Sequence, residues 1–190
     1  MFDLEQFIAE CRAALAEGER PKALREVVAR AVSDPAAVMA SLGEPQRAGV
    51  QRLYYAPDLT ILNVLWAPGM TVMPHNHLMA AVIGLYTGRE DNIFWRRIET
   101  EDGPRIEAAG ARSIGVRDCV PLGRDIIHSV TNPVSKVTGA IHVYDGDFFA
   151  IERSEWEPES LEERRYDVEK NIRLFEEAND RLAGRAASCS

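Results

Sequence analysis

A chain of 190 residues with 30 acidic and 22 basic side chains, a formal net charge of −8, is poorly suited to nucleic acid or an anionic membrane surface, which repel net negative charge. Its three cysteines, Cys11, Cys119 and Cys189, are odd in number and far apart, which suits a reducing compartment without structural disulfides. The start, MFDLEQFIAE, carries acids where a signal peptide has an apolar core, and no apolar run approaches the length of a membrane span. These features together predict a cytoplasmic protein of one domain, large enough for a sizeable core.

Residues 1–45 read as helical. Leu4, Phe7, Ile8, Cys11 and Leu15 recur at helical spacing behind Asp3, an N-cap residue, and Gly18 ends the run. Pro21 opens a second stretch with Leu24, Val27, Val28, Ala31 and Val32 on one stripe. Asp34-Pro35 then reads as cap and first-turn proline of a short third helix, closed by Gly43. The stripes predict packing on the next segment, with Cys11 a buried small hydrophobe.

Within residues 46–150 the period changes to two. QRLYYAPDLTILNVLWAPG predicts two strands joined at Ala56-Pro57-Asp58. Further strands are predicted from Thr71 through His77, over 82–86, 92–98, 105–108, 111–116, 125–130 and 137–144, with turns at Thr87-Gly88 and Glu101-Asp102-Gly103-Pro104. Many short strands with regular turns imply a mainly β sandwich or barrel. Residues 151–190 read as an extended tail wrapping the surface, then an amphipathic helix on Val168, Ile172, Phe175 and Leu182, interrupted by Asn179. Glu162 to Arg165 suit a solvated face, and AASCS a disordered end with Cys189 exposed. Both sets of terminal helices are expected to serve stability, covering barrel surface or a partner chain in a possible homodimer.

His75 and His77 stand two residues apart, and residues i and i+2 of a strand share a face, so with Thr71 and Met73 they should project to one side. Neutral imidazole is a ligand for Fe, Zn, Ni and Cu. Only four histidines occur, and a third, His128, lies in a second strand-like stretch. These stretches resemble the two motifs of the cupin superfamily. Gly69, His75, His77 and Gly88 match the first, with Ala81 at the glutamate position; Gly115, Pro121, Gly123, His128 and Asn132 match the second, with two extra residues before His128. The resemblance implies a double-stranded β-helix (jelly-roll) barrel holding a metal at His75, His77 and His128.

Three histidines without a carboxylate are similar to the thiol dioxygenases, the cysteine dioxygenase family. The runs APDLTILNVLWAPGM, GLYTGREDNIFWRR, IHSVTNP and IHVYDGDFF resemble a bacterial group of metal-dependent double-stranded β-helix enzymes related to it. That implies Fe(II) as cofactor, with O2 and a small thiol carboxylate as reactants; Zn, Ni or Mn would serve the alternatives. Three neutral ligands leave the ion its full charge, which depresses the pKa of a bound thiol.

His142 and Tyr144 share a face of the last barrel strand, and the resemblance gives them catalytic roles: the phenol at the iron site, the imidazole orienting it. Ala140 replaces the family's serine, and Val82 occupies the position of a cysteine that some members crosslink to the tyrosine. The resemblance places a carboxylate-binding arginine upstream of His75. Arg52 is the candidate with Tyr54 beside it, ahead of Arg47, Arg89 and Arg96. Met73 and Met79 are candidates for an apolar pocket wall. An isomerase or lyase using the metal as Lewis acid, or a non-catalytic binding module, are the alternative functions.

Overall fold

The computed structural model describes residues 1–188. Three helices lead the chain: α1 (Leu4–Leu15), α2 (Arg20–Val32) and α3 (Pro35–Leu42). Their ends follow the sequence signals. The Asp3 side chain accepts from Gln6 N, Asp34 accepts from Ala37 N, and Gly43 closes α3 at φ 88°.

Eleven strands follow: β1 (Gly49–Ala56), β2 (Leu59–Trp66), β3 (Thr71–Asn76), β4 (Ala81–Thr87), β5 (Arg89–Thr100), β6 (Gly103–Gly115), β7 (Cys119–Leu122), β8 (Ile127–Thr131), β9 (Thr138–Tyr144), β10 (Ser154–Trp156) and β11 (Glu163–Arg165). A long helix, α4 (Val168–Ser188), ends the described chain. One antiparallel sheet runs β1-β2-β9-β4-β7, the other β11-β10-β3-β8-β5-β6. Consecutive strands β2, β3 and β4 alternate between the sheets, and β7, β8 and β9 alternate back. That interleaving is the jelly roll, or double-stranded β-helix.

The first sheet is covered on both faces, so its central strands β2 and β9 are buried along their whole length and are mostly apolar. Leu59, Ile61, Val82, Ile141 and Val143 face outward beneath α1–α3, against Cys11, Val28 and Val32. Val28 and Val32 are fully buried, each stabilising the fold by about 1.5–3 kcal/mol. α2 lies so close to β4 that a Cβ on Gly84 would meet the Val28 side chain at 2.5 Å. Leu62, Val64, Ile83, Leu85, Ala140 and Tyr144 face inward, into the barrel.

Several expectations change. The strands expected at 105–108 and 111–116 are one, β6, paired along its whole length with a β5 longer than foreseen. Between Phe94 and Trp95 the register shifts, and a bulge accommodates Ala109 as the extra residue of β6. β7 was not foreseen. The expected surface tail contains β10, which pairs with β3 at Glu155↔His75 and so belongs to the barrel. Of Glu162 to Arg165, Glu163 pairs with Arg97 and Glu162 with Arg105, so the expected solvated face ties the tail to the β5–β6 hairpin. On α4, Val168 and Ile172 are exposed, while Asn171 and Ala178 are buried. Helix continues through Ser188, where the end was expected to be disordered, and Cys189 lies outside the described residues. Among the described residues no helix is long and apolar enough to cross a membrane.

Candidate metal centre

His75 and His128 are direct partners across the β3–β8 ladder, which brings their imidazoles together without help from loops. The ladder shifts register between Val72 and His75, and this bulge corrects the expected alternation. Val72, not Thr71, lies with His75 and His77 in the cavity wall, and Thr71 is exposed. His77 follows the end of β3, and Leu78 turns the chain at φ 54°, a conformation unusual for a branched side chain and one that concentrates at functional sites.

The three imidazoles converge on their Nε2 atoms. His77 Nε2 lies 3.2 Å from His75 Nε2 and 3.3 Å from His128 Nε2, and the ligand atoms all fall within 4.8 Å of one another. Nitrogens about 2.0–2.1 Å from a common ion stand roughly 2.8–3.0 Å apart in octahedral and roughly 3.3–3.4 Å apart in tetrahedral arrangement, so the spacing lies within the range of a transition-metal site. The tautomers fit too. His75 Nδ1 donates to the Met73 carbonyl at 2.9 Å, and His128 Nδ1 lies 2.7 Å from Asn92 Oδ1, which leaves both Nε2 atoms as lone pairs. Burial holds all three imidazoles neutral: His75 is lowered to about 4, and His77 and His128 are held well below the usual histidine range.

Around this cluster opens a cavity of about 670 Å³, lined by the three histidines together with His142 and Tyr144. His142 Nδ1 lies 3.1 Å from the Tyr144 hydroxyl. Burial lowers His142 to about 3 and raises Tyr144, so the imidazole is neutral and the phenol keeps its proton. Ala140 is fully buried on the same face, and no hydroxyl stands where the family's serine would. The residue directly paired with Tyr144 on β4 is Ala81. Val82, expected at the crosslinking position, faces the opposite way beneath the helices, because strand alternation sends neighbouring residues to opposite faces.

Arg52 lines the cavity at an exposed position, its guanidinium 5.7 Å from the Tyr55 ring. Tyr54 does not join it. A bulge between Arg52 and Tyr54 reverses the face, and Tyr54 packs with the helical cluster, its hydroxyl bonded by Arg12 of α1. Arg47 also lines the cavity, whereas Arg89 and Arg96 are tied to Asp91 and Glu107 on the barrel's outer surface. Met73 and Met79 are core residues outside the cavity lining.

Residues that pattern reasoning passed over complete the site. Arg153 enters the cavity from the segment before β10, its guanidinium 4.0 Å from the Phe148 ring centre and 4.2 Å from that of Tyr166. Nη1 donates to the Phe148 carbonyl at 2.6 Å, while among the described residues the buried Nε has no hydrogen-bond partner and no carboxylate forms a salt bridge with the side chain. Phe148 and Tyr166 reach the ligands, with ring centres 6.1 Å from His77 and 5.9 Å from His75. From α4, Phe175 stacks on Trp66 and Asn171 lines the same wall. Beneath the ligands lies Glu90, fully buried, accepting from Asn92 Nδ2 at 2.9 Å and Trp66 Nε1 at 3.1 Å, with burial raising its pKa to about 7. Glu90 and Asn92 stand in an uninterrupted polar run, Arg89 to Asn92, so no alternation in the sequence marked that layer. For Arg153 the signal was the aromatic and arginine clustering of DGDFFAIER.

No family model matches the sequence, and neither does any curated protein. Among solved structures, it is similar to an oxalate decarboxylase variant from Bacillus subtilis, at 18% identity and TM-score 0.41 over 55% of this chain and 27% of that one. A Bacillus halodurans protein is 13% identical at TM-score 0.44, over 53% of this chain and 72% of that chain. An RmlC-like cupin family protein with a double-stranded β-helix fold, from Methanocaldococcus jannaschii, is 11% identical at TM-score 0.41, over 55% and 85%. The chain thus spans about a quarter of the length of the first.

Proposed function

We propose that this protein is a metal-dependent oxygenase of small thiol carboxylates, with Fe(II) held by His75, His77 and His128. The observation that carries the reading is the donor set: three neutral imidazoles converge inside the jelly roll, and among the described residues no carboxylate joins the group of ligand atoms. Bound there, Fe(II) would supply a redox centre and an undiminished positive charge that favours a thiolate over a thiol. Everything else falls to the chain's own side chains.

Arg153 replaces Arg52 as the residue that binds the substrate carboxylate. Its planar fork lies against two rings, so a carboxylate arriving at the cavity-lining guanidinium gains a charge-assisted bond with little further ordering of the side chain. Arg52, exposed at the rim, suits guidance of anions more than their fixation. Tyr144, held by His142, offers a neutral hydroxyl on the ligand side, 5.1 Å between its ring centre and that of His77. Phe148 and Phe175 exclude water from the wall.

The test is oxygen uptake by iron-loaded protein with cysteine, 3-mercaptopropionate, cysteamine and a short peptide thiol. Uptake with the carboxylate thiols and little with cysteamine is the expected result. No uptake with any thiol would overturn the oxygenase reading in favour of an isomerase or lyase using Zn, Ni or Mn as Lewis acid.

A further inference from the structure

Glu90 carries two oxygens and no proton donor when ionised, and both oxygens are committed. Trp66 Nε1 donates to Oε2 at 3.1 Å and Asn92 Nδ2 donates to Oε1 at 2.9 Å. An indole nitrogen can only donate. An amide can turn over, so the direction of Asn92 is set by what faces it. Because Glu90 accepts from its Nδ2, Asn92 must present Oδ1 on the other side, where His128 Nδ1 stands at 2.7 Å. That carbonyl oxygen requires Nδ1–H, and so Nε2 of His128 is the lone pair aimed at His77 and His75.

We infer that Glu90 is the positioning residue that locks the metal-binding tautomer of His128, acting through Asn92. All three groups are at or below 1% exposure, so no solvent water competes for these bonds. With Glu90 ionised, the chain of donors has a single consistent reading from Trp66 to the metal-facing nitrogen. It places a carboxylate in the layer behind the ligands although none is present among them.

Glu90→Gln tests this with a change of one atom. The glutamine oxygen must face the donor-only indole, so its amide faces Asn92. Asn92 then turns its oxygen to Gln and its nitrogen to His128, whose Nδ1 becomes an acceptor and whose Nε2 takes the proton. The inference rests on the metal-site part of the proposed function, yet the tautomer is readable without metal, so the two can fail separately. Nitrogen-15 spectra of the metal-free protein should show His128 as Nδ1–H in the wild type and Nε2–H in Glu90→Gln. Cobalt(II) titration should show affinity falling about 10–100-fold, as is typical when a ligand's outer partner is lost.

The double variant E90Q/N92D restores an acceptor for every donor and the original net charge, and should recover both the Nδ1–H tautomer and most of the affinity. A role confined to stability would not be rescued in tautomer by that exchange. Should Glu90→Gln not fold, Asn92→Ala, which leaves His128 Nδ1 unheld, must show mixed tautomers and a similar loss. An unchanged tautomer in either folded variant, or no recovery in the double variant, overturns the inference. Tautomers as expected with no cobalt binding in the wild type would uphold the lock and overturn the metal site instead.

Discussion

Two stretches flank the barrel, and both announce themselves as amphipathic helix. Helices α1–α3 lie on the outer face of one sheet, meeting it through a continuous apolar layer that contributes nothing to the cavity near the histidines. The segment from Phe148 through α4 crosses the open end of the barrel and supplies Phe148, Arg153, Tyr166, Asn171 and Phe175 to the cavity wall. The difference lies in the polar interruptions. The buried face of α2 is purely apolar, whereas α4 buries Asn171 and uses Asn179 to bond both the N–H and the carbonyl of Ala48, at 2.7 and 3.0 Å. A stripe without polar members suits a sheet whose backbone is already satisfied, and a broken stripe marks a helix that meets free backbone and a ligand space.

The largest effect separates the site from both flanks. Replacing any one of His75, His77 or His128 by Ala should abolish stoichiometric metal while the fold persists, and metal analysis of purified protein checks it. A triple-Ala protein that kept one metal per chain would place the metal elsewhere.

Next, Leu24→Ala on α2, at 2% exposure, should cost about 2–5 kcal/mol of stability through the cavity it leaves. Metal per folded chain and KM should stay at wild-type values. A shift in KM would mean that the N-terminal helices reach the cavity after all.

Tyr144→Phe should leave folding and metal content intact and lower turnover by about 10², the usual worth of a preorganised donor at a reacting centre. Full turnover would make Tyr144 packing alone.

The C-terminal side is sharpened by Arg153→Gln set against Tyr54→Phe. Loss of a charge-assisted bond should raise KM for a carboxylate thiol about 10–100-fold in the first. The second, on the helical side of the sheet, should change it by no more than about twofold. The reverse ranking would return Tyr54 to the binding site.

A separate effect, on neither flank, is a pH dependence of the metal-free fold. His75 at about 4 and His142 at about 3 stay neutral when folded, yet titrate near the ordinary 6.5 when unfolded. Their contribution is fully present above pH 6.5. Below it the unfolded chain takes up protons that the folded chain refuses, so stability falls by up to about 1.4 kcal/mol per imidazole per pH unit. Glu90, raised to about 7 from 4.5, acts oppositely, its contribution being lost as pH rises through that window. With His77 and His128 also depressed, the imidazoles outnumber the carboxylate, and the denaturation midpoint should fall from pH 7 to pH 5. A flat profile would contradict the burial of these rings.

Much of this was legible in the residues. Asp3, Asp34, Pro35 and Gly43 marked helix ends through local capping chemistry, which needs no tertiary context. The spacing of His75 and His77, with His128 in a second strand, marked the three histidines that the structure brings together. What alternation could not reveal were the bulges at Val72/His75 and Arg52/Tyr54, since an inserted residue reverses the face without any signature in composition. It thereby misplaced Tyr54 and Thr71. Arg153 escaped because the tail around it has no period, and its place is set by the pairing of β10 with β3 far away in sequence.

That pairing has a further consequence for the solubility of the chain. β10 lies along the side of β3 not taken by β8, so the strand bearing His75 is interior to its sheet only while the later segment is docked. A chain cut after Ala150 would turn β3 into a bare edge, with Val72, Met73 and His75 beside unpaired N–H and C=O groups, a template for strand addition by a second copy. The segment that shapes the pocket therefore also acts as the barrel's guard against self-association, and proteolysis around 150–153 would be expected to yield aggregates before it yields an open, metal-bearing barrel.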